Sequence, residues 1–272
     1  MRFKGAGWFK TLNYNQSGFK LENGKLILSK IGEIPIKLHR KIKGKVKGII
    51  IKRERSGKWF AIFQVEDEPG LLPKTERAIG IDVGIRHFLT DSEGRQVENP
   101  RFYERTLEQI RRRQRRLSRK KKGSKNREKA RVKLARAHEK LVNQRNDFLH
   151  KLSRFYINDL IAVEHLNISG MARNHRLSGK ILDASWGKFL HMLSYKAERA
   201  GRMVVDPKGT SQNLPEGFDR DYIAACRILS LGLGRSEVTP AEMGPLLRVP
   251  ASAVIAGQVP SLKQEAPCES WG

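Results

Sequence analysis

The sequence predicts a mixed α/β fold that follows a small antiparallel β region, and three observations lead to this prediction. Residues 1–68 alternate lysines with apolar residues, as strands with one packed and one solvated face do. Residues 102–160 space their apolar side chains as helices do. Short apolar runs, among them AIGIDVG and LIAVEHLNI, come before and after these helices. Strands that alternate with helices indicate an α/β sheet.

The first 68 residues are expected to form a separate small barrel or sandwich. Asn23-Gly24 lies between two alternating runs and is a strong hairpin signal, and Ser56-Gly57 marks a second turn. Residues 69–77 contain two prolines and are interpreted as a linker. Residues 78–232 are expected to form the second domain. Residues 233–272 are rich in Pro, Ala, Ser and Val without periodicity, so a poorly ordered tail is expected there.

Two long helices are predicted within the second domain, as a hairpin at about 102–160. The first places Leu107, Ile110 and Leu117 along one stripe, with arginine almost everywhere else. Gly123-Ser124 separates it from the second. A further helix is expected from about Trp186 to Ala200, another near Asp221, and short strands around LIAVEHLNI and Met203–Asp206. Trp186 and Phe189 are expected to lie in the core rather than to stack on bases.

The charge of the chain is strongly positive, at a formal +26. The surplus lies in residues 1–212, whereas residues 213–272 carry slightly more acidic than basic side chains. A folded region this basic repels itself, and lysines and arginines gain by displacing counterions from phosphates. Nucleic acid is therefore the expected partner, with an ordinary basic protein as the alternative.

The chain contains two cysteines, Cys226 and Cys268, which is too few for a disulfide framework or a four-ligand zinc site. No apolar run approaches the roughly 20 residues that span a bilayer, and the start lacks the apolar core of a signal peptide. The expected location is a reducing cytoplasm, close to the nucleoid of a prokaryote, with no membrane partner.

Three acidic residues stand out by their local context. Asp82 and Glu164 each lie within an apolar β-run, and Asp221 lies at the start of a helix. Each has a structural explanation, as a strand-end turn residue, a paired core acid and a helix N-cap respectively. Together they match the needs of two-metal phosphodiester cleavage, in which several carboxylates bind two Mg²⁺ or Mn²⁺ ions about 4 Å apart. Such a layout is that of ribonuclease H-like nucleases.

Five motifs occur in an order that is specific to one family: GIDVG, VEHLNISGM, DASWGKFLHMLSYKAERAG, VVDPKGTSQ and DRDYIAACRIL. They closely resemble the RuvC-like domain of the TnpB/OrfB family, which are transposon-encoded RNA-guided endonucleases related to type V CRISPR effectors. The earlier stretch GFKLENGKLILSKIGEIPIKLHR resembles the part of that family's wedge domain just before the nuclease. The resemblance spans roughly Phe19 to Leu231.

The resemblance implies a function and a set of site residues. Asp82, Glu164 and Asp221 would be the catalytic residues and would bind Mg²⁺ or Mn²⁺, whereas Asp219 lies two residues upstream of the matching position. Residues 1–68 would be a partial wedge-like domain and residues 78–232 a RuvC-like nuclease domain. The implied partners are DNA and a guide RNA, and the implied role is in DNA transposition.

The sequence also departs from the family pattern. Members usually carry a zinc ribbon with two CxxC pairs before the last catalytic acid, but only NLPEGF separates Gln212 from Asp219. No zinc site is therefore expected. Ile223 replaces an expected asparagine, and the family's N-terminal helical bundle has no counterpart. The expectation is a truncated, internally deleted copy from an insertion sequence.

The basic side chains of the first long helix are the predicted nucleic-acid contacts, with a solvated charged face as the alternative. A dense row of like charges at i,i+4 spacing is unfavourable by itself. Contacts with phosphates would set affinity and carry little sequence information. The set comprises Arg111, Arg112, Arg113, Arg115, Arg116, Arg119, Lys120, Lys121 and Lys122.

Two other functions remain as alternatives to the nuclease. One is a nucleic-acid binder, such as a repressor, that has the same fold but does not cleave. The other is an actin- or Hsp70-type ATPase, since GIDVG also resembles the first phosphate loop of that superfamily. An ATPase would need a second glycine-rich phosphate loop, and the sequence contains none.

Overall fold

The computed structural model describes residues 10–68, 70–158, 160–207, 219–235 and 246–259. The chain divides into two compact units. Residues 1–69 with 108–140 form the first, and residues 70–107 with 141–272 form the second.

The first unit contains two three-stranded antiparallel sheets, in the orders β1-β5-β6 and β2-β3-β4. Leu26 and Leu28 of one sheet and Ile49 and Ile51 of the other form a common buried core. The Asn23-Gly24 turn joins β2 to β3 with positive φ at both residues, as the sequence predicted. The strands are β1 (Thr11–Asn15), β2 (Phe19–Glu22), β3 (Lys25–Leu28), β4 (Gly32–Pro35), β5 (Lys45–Arg53) and β6 (Trp59–Glu66), with one 3₁₀ turn at Gln16–Gly18.

Two long helices, α1 (Phe102–Ser118) and α2 (Lys125–Phe155), occur where the sequence predicted a hairpin. The Arg127 guanidinium donates to the carbonyls of Leu117 and Lys120 and so satisfies the carboxyl end of α1.

Residues 108–118 of α1 and 125–140 of α2 belong to the first unit, together with the β region. We expected the whole hairpin to belong with residues 78–232. An ion pair of 2.9 Å joins Lys58 to Glu139, and Arg136 donates to the Ser56 carbonyl. These contacts connect the β5–β6 turn to α2.

The second unit contains a six-stranded mixed sheet in the order β11-β10-β7-β8-β9-β12. β10 is parallel to β7 and β11, β7 to β9 form an antiparallel meander, and β12 is parallel to β9. The predicted mixed α/β architecture is thereby confirmed. The strands are β7 (Ala78–Val83), β8 (His87–Asp91), β9 (Arg95–Glu98), β10 (Leu160–Val163), β11 (Met203–Val205) and β12 (Leu247–Val249).

Within the described part of the second unit there are five further helices. Trp186 and Phe189 are fully buried on the third of them, so their predicted place in the core is confirmed. The helices are α3 (Ile168–Met171), α4 (Ser178–Ala184), α5 (Trp186–Arg199), α6 (Arg220–Gly232) and α7 (Ala251–Ala256).

Helix α6 packs closely against β7, and Gly80 makes this possible. A Cβ atom at Gly80 would lie 2.1 Å from the Ala225 carbonyl oxygen and 2.8 Å from Leu229. Side chains two residues apart on a strand share a face. The helix therefore lies over the same face of β7 that carries Asp82.

Residues 246–259 differ from the expectation that residues 233–272 are poorly ordered, whereas residues 236–245 and 260–272 lie outside the described residues. Residues 247–249 pair with β9, and α7 follows directly. Val249, Ala251 and Val254 are buried, and the backbone of Ala251 donates to the Glu98 carboxylate. This apolar cluster is too short to show periodicity, so the sequence pattern did not reveal it.

Among the described residues, no helix is both long enough and apolar enough to cross a membrane.

Candidate active site

Asp82 and Glu164 lie on adjacent parallel strands near the centre of the sheet. Asp82 belongs to β7, and Glu164 directly follows β10. The register pairs Val163 with Ile81, and its continuation by one residue brings Glu164 beside Asp82. The parallel pairing thus joins two acids that are far apart in sequence.

The carboxyl groups of Asp82 and Glu164 lie close enough to interact directly. Burial, together with the negative charges of Glu164 and Asp221, raises the pKa of Asp82 from 3.8 to about 7. The positive charge of Arg220 opposes this rise. All three predicted acids therefore belong to one electrostatic group.

Helix α6 brings the third acid to this group. Asp221 lies in its first turn. The N-cap is Asp219, whose Oδ1 accepts hydrogen bonds from the backbone N–H groups of Asp221 and Tyr222. Capping therefore does not explain Asp221, whose carboxylate remains available for another role.

The donor chemistry of this group suits Mg²⁺ or Mn²⁺, since hard divalent cations prefer carboxylate oxygens. A cation would also offset the repulsion that raises the pKa of Asp82. However, no three His, Cys, Asp or Glu side chains among the described residues are arranged as a ready-made metal site. Asp82, Glu164 and Asp221 are nevertheless close enough to interact electrostatically.

The predicted basic residues lie along α1 and the turn that follows it. Arg113 donates to the Lys133 carbonyl, and Arg111 lies 3.5 Å from Glu108. Seven of the nine side chains are exposed, and Arg113 and Lys120 are half-buried. Residues 213–218, where the family resemblance implied a zinc ribbon that the sequence lacks, lie outside the described residues.

Three polar residues that the sequence did not indicate lie near the carboxylates. Arg220 faces Asp82 electrostatically, and Gln96 donates from Nε2 to Asp219 Oδ2 at 3.0 Å. Thr90 pairs with Asp82 across the β7–β8 ladder and is 1% exposed. Its hydroxyl has no hydrogen-bond partner among the described residues. Thr90 and Gln96 could be found only from the strand register, because β9 is four residues long and too short for its sequence pattern to predict one.

Residues 62–175 match the OrfB_IS605 family model, described as "Probable transposase". A protein of Streptomyces pristinaespiralis named "Putative RNA-guided DNA endonuclease" is 37% identical over 197 residues, which cover 71% of this chain and 49% of the relative. "Putative RNA-guided DNA endonuclease InsQ" of Escherichia coli K12 is 32% identical over 233 residues, which cover 78% and 58%.

These matches define the class of protein as transposase-type, and the matched region belongs to the OrfB/TnpB family. The resemblance indicated by the five motifs is confirmed. The chain spans about half the length of the curated relatives it matches. Among solved structures, a Cas12f1–sgRNA–target DNA complex aligns with 68% of this chain and 45% of that chain, at a TM-score of 0.42 and 15% identity.

Proposed function

We propose that this chain is a transposon-associated nucleic-acid-binding protein whose second unit is a RuvC-like, metal-dependent DNA endonuclease of the ribonuclease H-like fold. Asp82, Glu164 and Asp221 are its catalytic residues and hold Mg²⁺ or Mn²⁺. The observation that carries the proposal is the proximity of these three acids, since Glu164 and Asp221 both contribute, after burial, to the raised pKa of Asp82. DNA and a guide RNA are its partners, in keeping with the names of the relatives.

The divalent ion supplies charge neutralisation and activation of water for phosphodiester cleavage. Asp82 and Glu164 provide adjacent oxygens from two parallel strands, and Asp221 adds a third group from the first turn of α6. A bound cation would favour the charged form of Asp82, whose pKa is raised by burial and by the neighbouring acids.

The basic residues of α1 bind the sugar-phosphate backbone. Exposed arginines contribute affinity through counterion release rather than through base recognition. Arg115 and Arg116 are exposed and have no ion-pair partner among the described residues, so their charges are available to phosphates.

Cleavage of labelled DNA with Mg²⁺ or Mn²⁺, by protein purified together with RNA from its own locus, tests the proposal. We expect Asp82→Ala to lower the cleavage rate at least about 100-fold, since it removes a ligand of the catalytic ion. Asp147→Asn is the matched control, because Asp147 is an exposed acid that pairs with Lys151. Equal cleavage by the wild type and D82A would contradict the assignment.

A second candidate is a binder that holds RNA or DNA without cleaving it. The absence of a ready-made metal site among the described residues favours it. In that case neither the wild type nor D82A cleaves, while both bind nucleic acid equally well.

A further inference from the structure

The sheet carries a row of polar side chains that extends past the carboxylates. Thr90 on β8 pairs with Asp82 on one side and with Gln96 on the other. Directly opposed residues of antiparallel strands place their side chains on the same face. Asp82, Thr90 and Gln96 therefore lie side by side on the face that α6 covers.

Gln96 connects this row to the start of α6. Its side chain is 3% exposed, and Nε2 donates to Asp219 Oδ2 at 3.0 Å. The other carboxylate oxygen of Asp219 accepts from the backbone N–H of Asp221 at 3.1 Å. A single carboxylate thus joins a strand side chain to the turn that carries Asp221.

We propose that Gln96 is a positioning residue, which acts through Asp219 to hold the Asp221 carboxylate toward Asp82. The inference rests on the proposed function, since it assumes that these acids bind a divalent ion. Helix α6 packs on β7 through Ala225 and Leu229, which are one turn or more beyond Asp221. That packing leaves the first turn to be fixed by other contacts, and the Gln96–Asp219 hydrogen bond supplies one from the sheet.

Small displacements matter at such a site. Partners that orient metal ligands typically change metal affinity about 10- to 100-fold when they are removed. The buried Gln96 amide donates to the capping carboxylate of Asp219 and so restricts the position of the first turn of α6 relative to β9.

Calorimetric titration of the metal-free protein with Mn²⁺ tests this inference without depending on cleavage. Gln96→Leu keeps the approximate size and the net charge but cannot donate, and we expect it to weaken Mn²⁺ binding about tenfold. Gln144→Leu, at an exposed position of α2, is the matched control and should bind as the wild type does.

A reversed hydrogen bond provides the rescue. In the double variant Q96E/D219N, the amide introduced on the N-cap can donate to the carboxylate introduced on β9. The carbonyl oxygen of that amide still caps α6, and the net charge is that of the wild type. We expect this variant to recover Mn²⁺ affinity to within about threefold of the wild type, since the link between sheet and helix is restored.

The double variant also distinguishes positioning from a general loss of stability. If Q96L only destabilised the fold, its melting temperature would fall, and reversing the hydrogen bond in Q96E/D219N would not restore Mn²⁺ affinity. If Q96L fails to fold, the single variant Q96E takes its place, because its carboxylate cannot donate to Asp219, and Q96E/D219N remains the rescue.

Three outcomes separate the two proposals. Weak binding by Q96L with recovery in Q96E/D219N supports the inference. Wild-type affinity in Q96L overturns the inference alone. A wild type that binds no Mn²⁺, or binds it as D82A does, overturns the proposed function and this inference with it.

Discussion

Asp82 carries a carboxyl group whose charge is unfavourable in the folded, metal-free protein. Its pKa lies near 3.8 in an unfolded chain and at about 7 in the folded one, because of burial and the neighbouring acids. The folded state therefore binds the proton more tightly. The resulting stabilisation is complete below about pH 4 and is lost as the pH rises through 7.

Asp82→Asn should remove this pH dependence. In EDTA, the variant should gain stability over the wild type as the pH rises from about 5 to about 8, by about 2–3 kcal/mol. Urea unfolding at both pH values measures the difference. Glu104→Gln, an exposed acid of the same unit, should show no such trend. A constant difference between D82N and the wild type would contradict the assigned pKa.

Local sequence context selected Asp82 and Glu164, because acids within apolar runs are rare, whereas Asp221 was selected at the start of a helix by its match to the family motif. It did not distinguish Asp221 from the capping residue, since Asp219 and Asp221 are both plausible caps by type. Gln96 and Thr90 could not be found at all. Their relation to Asp82 depends on the register of two short strands, and segments of four or five residues contain too little pattern to fix a register.

At the level of elements, α6 is the part on which the candidate site depends most. It brings Asp221 to the sheet, and its close approach requires the absence of a side chain at Gly80. Strong turn signals and long periodic helices were predictable, as at Asn23-Gly24 and in α1. The strands β9 and β12 were not predictable, because each has only three or four residues and its strand character comes from pairing with its neighbours.

Gly80→Ala should separate α6 from β7. The new Cβ would lie 2.1 Å from a backbone oxygen, so the helix must move, at a cost of about 1–3 kcal/mol or more. We expect a lower melting temperature and weaker Mn²⁺ binding together. Gly179→Ala is the matched control: no atom lies within 4 Å of its added Cβ, and alanine favours the helix there. Unchanged stability and Mn²⁺ affinity in G80A would contradict the described packing.

At the level of the whole molecule, the formal charge of +26 favours association with the nucleic acid of the proposed function. Such a charge concentrates a polyanion around the protein and makes binding strongly dependent on salt. The basic side chains are not all equally free to bind phosphates. Some basic side chains are already paired, as Arg131 is with Glu128 and Lys151 with Asp147.

Removal of unpaired charges should therefore matter more than removal of paired ones. For the double variant R115Q/R116Q, we expect the slope of log K against log salt to fall by about 0.9 per lost contact. The control R131Q/K151Q changes the net charge equally but removes paired cations, so its slope should stay near that of the wild type. Binding of a labelled duplex over a range of salt concentrations measures both. Equal slopes for the two variants would show that only net charge acts.

The pairing of β12 with β9 has a consequence for the order of events during synthesis. β9 is complete once Glu98 has been added, whereas its outer neighbour begins only at Leu247. Throughout the intervening translation, the outer edge of β9 presents unpaired backbone groups, and such an edge can pair with other chains. Until β12 has been synthesised, the nascent chain can therefore associate with other chains through this edge of β9. By covering that edge, the three residues of β12 protect against aggregation and also complete the sheet.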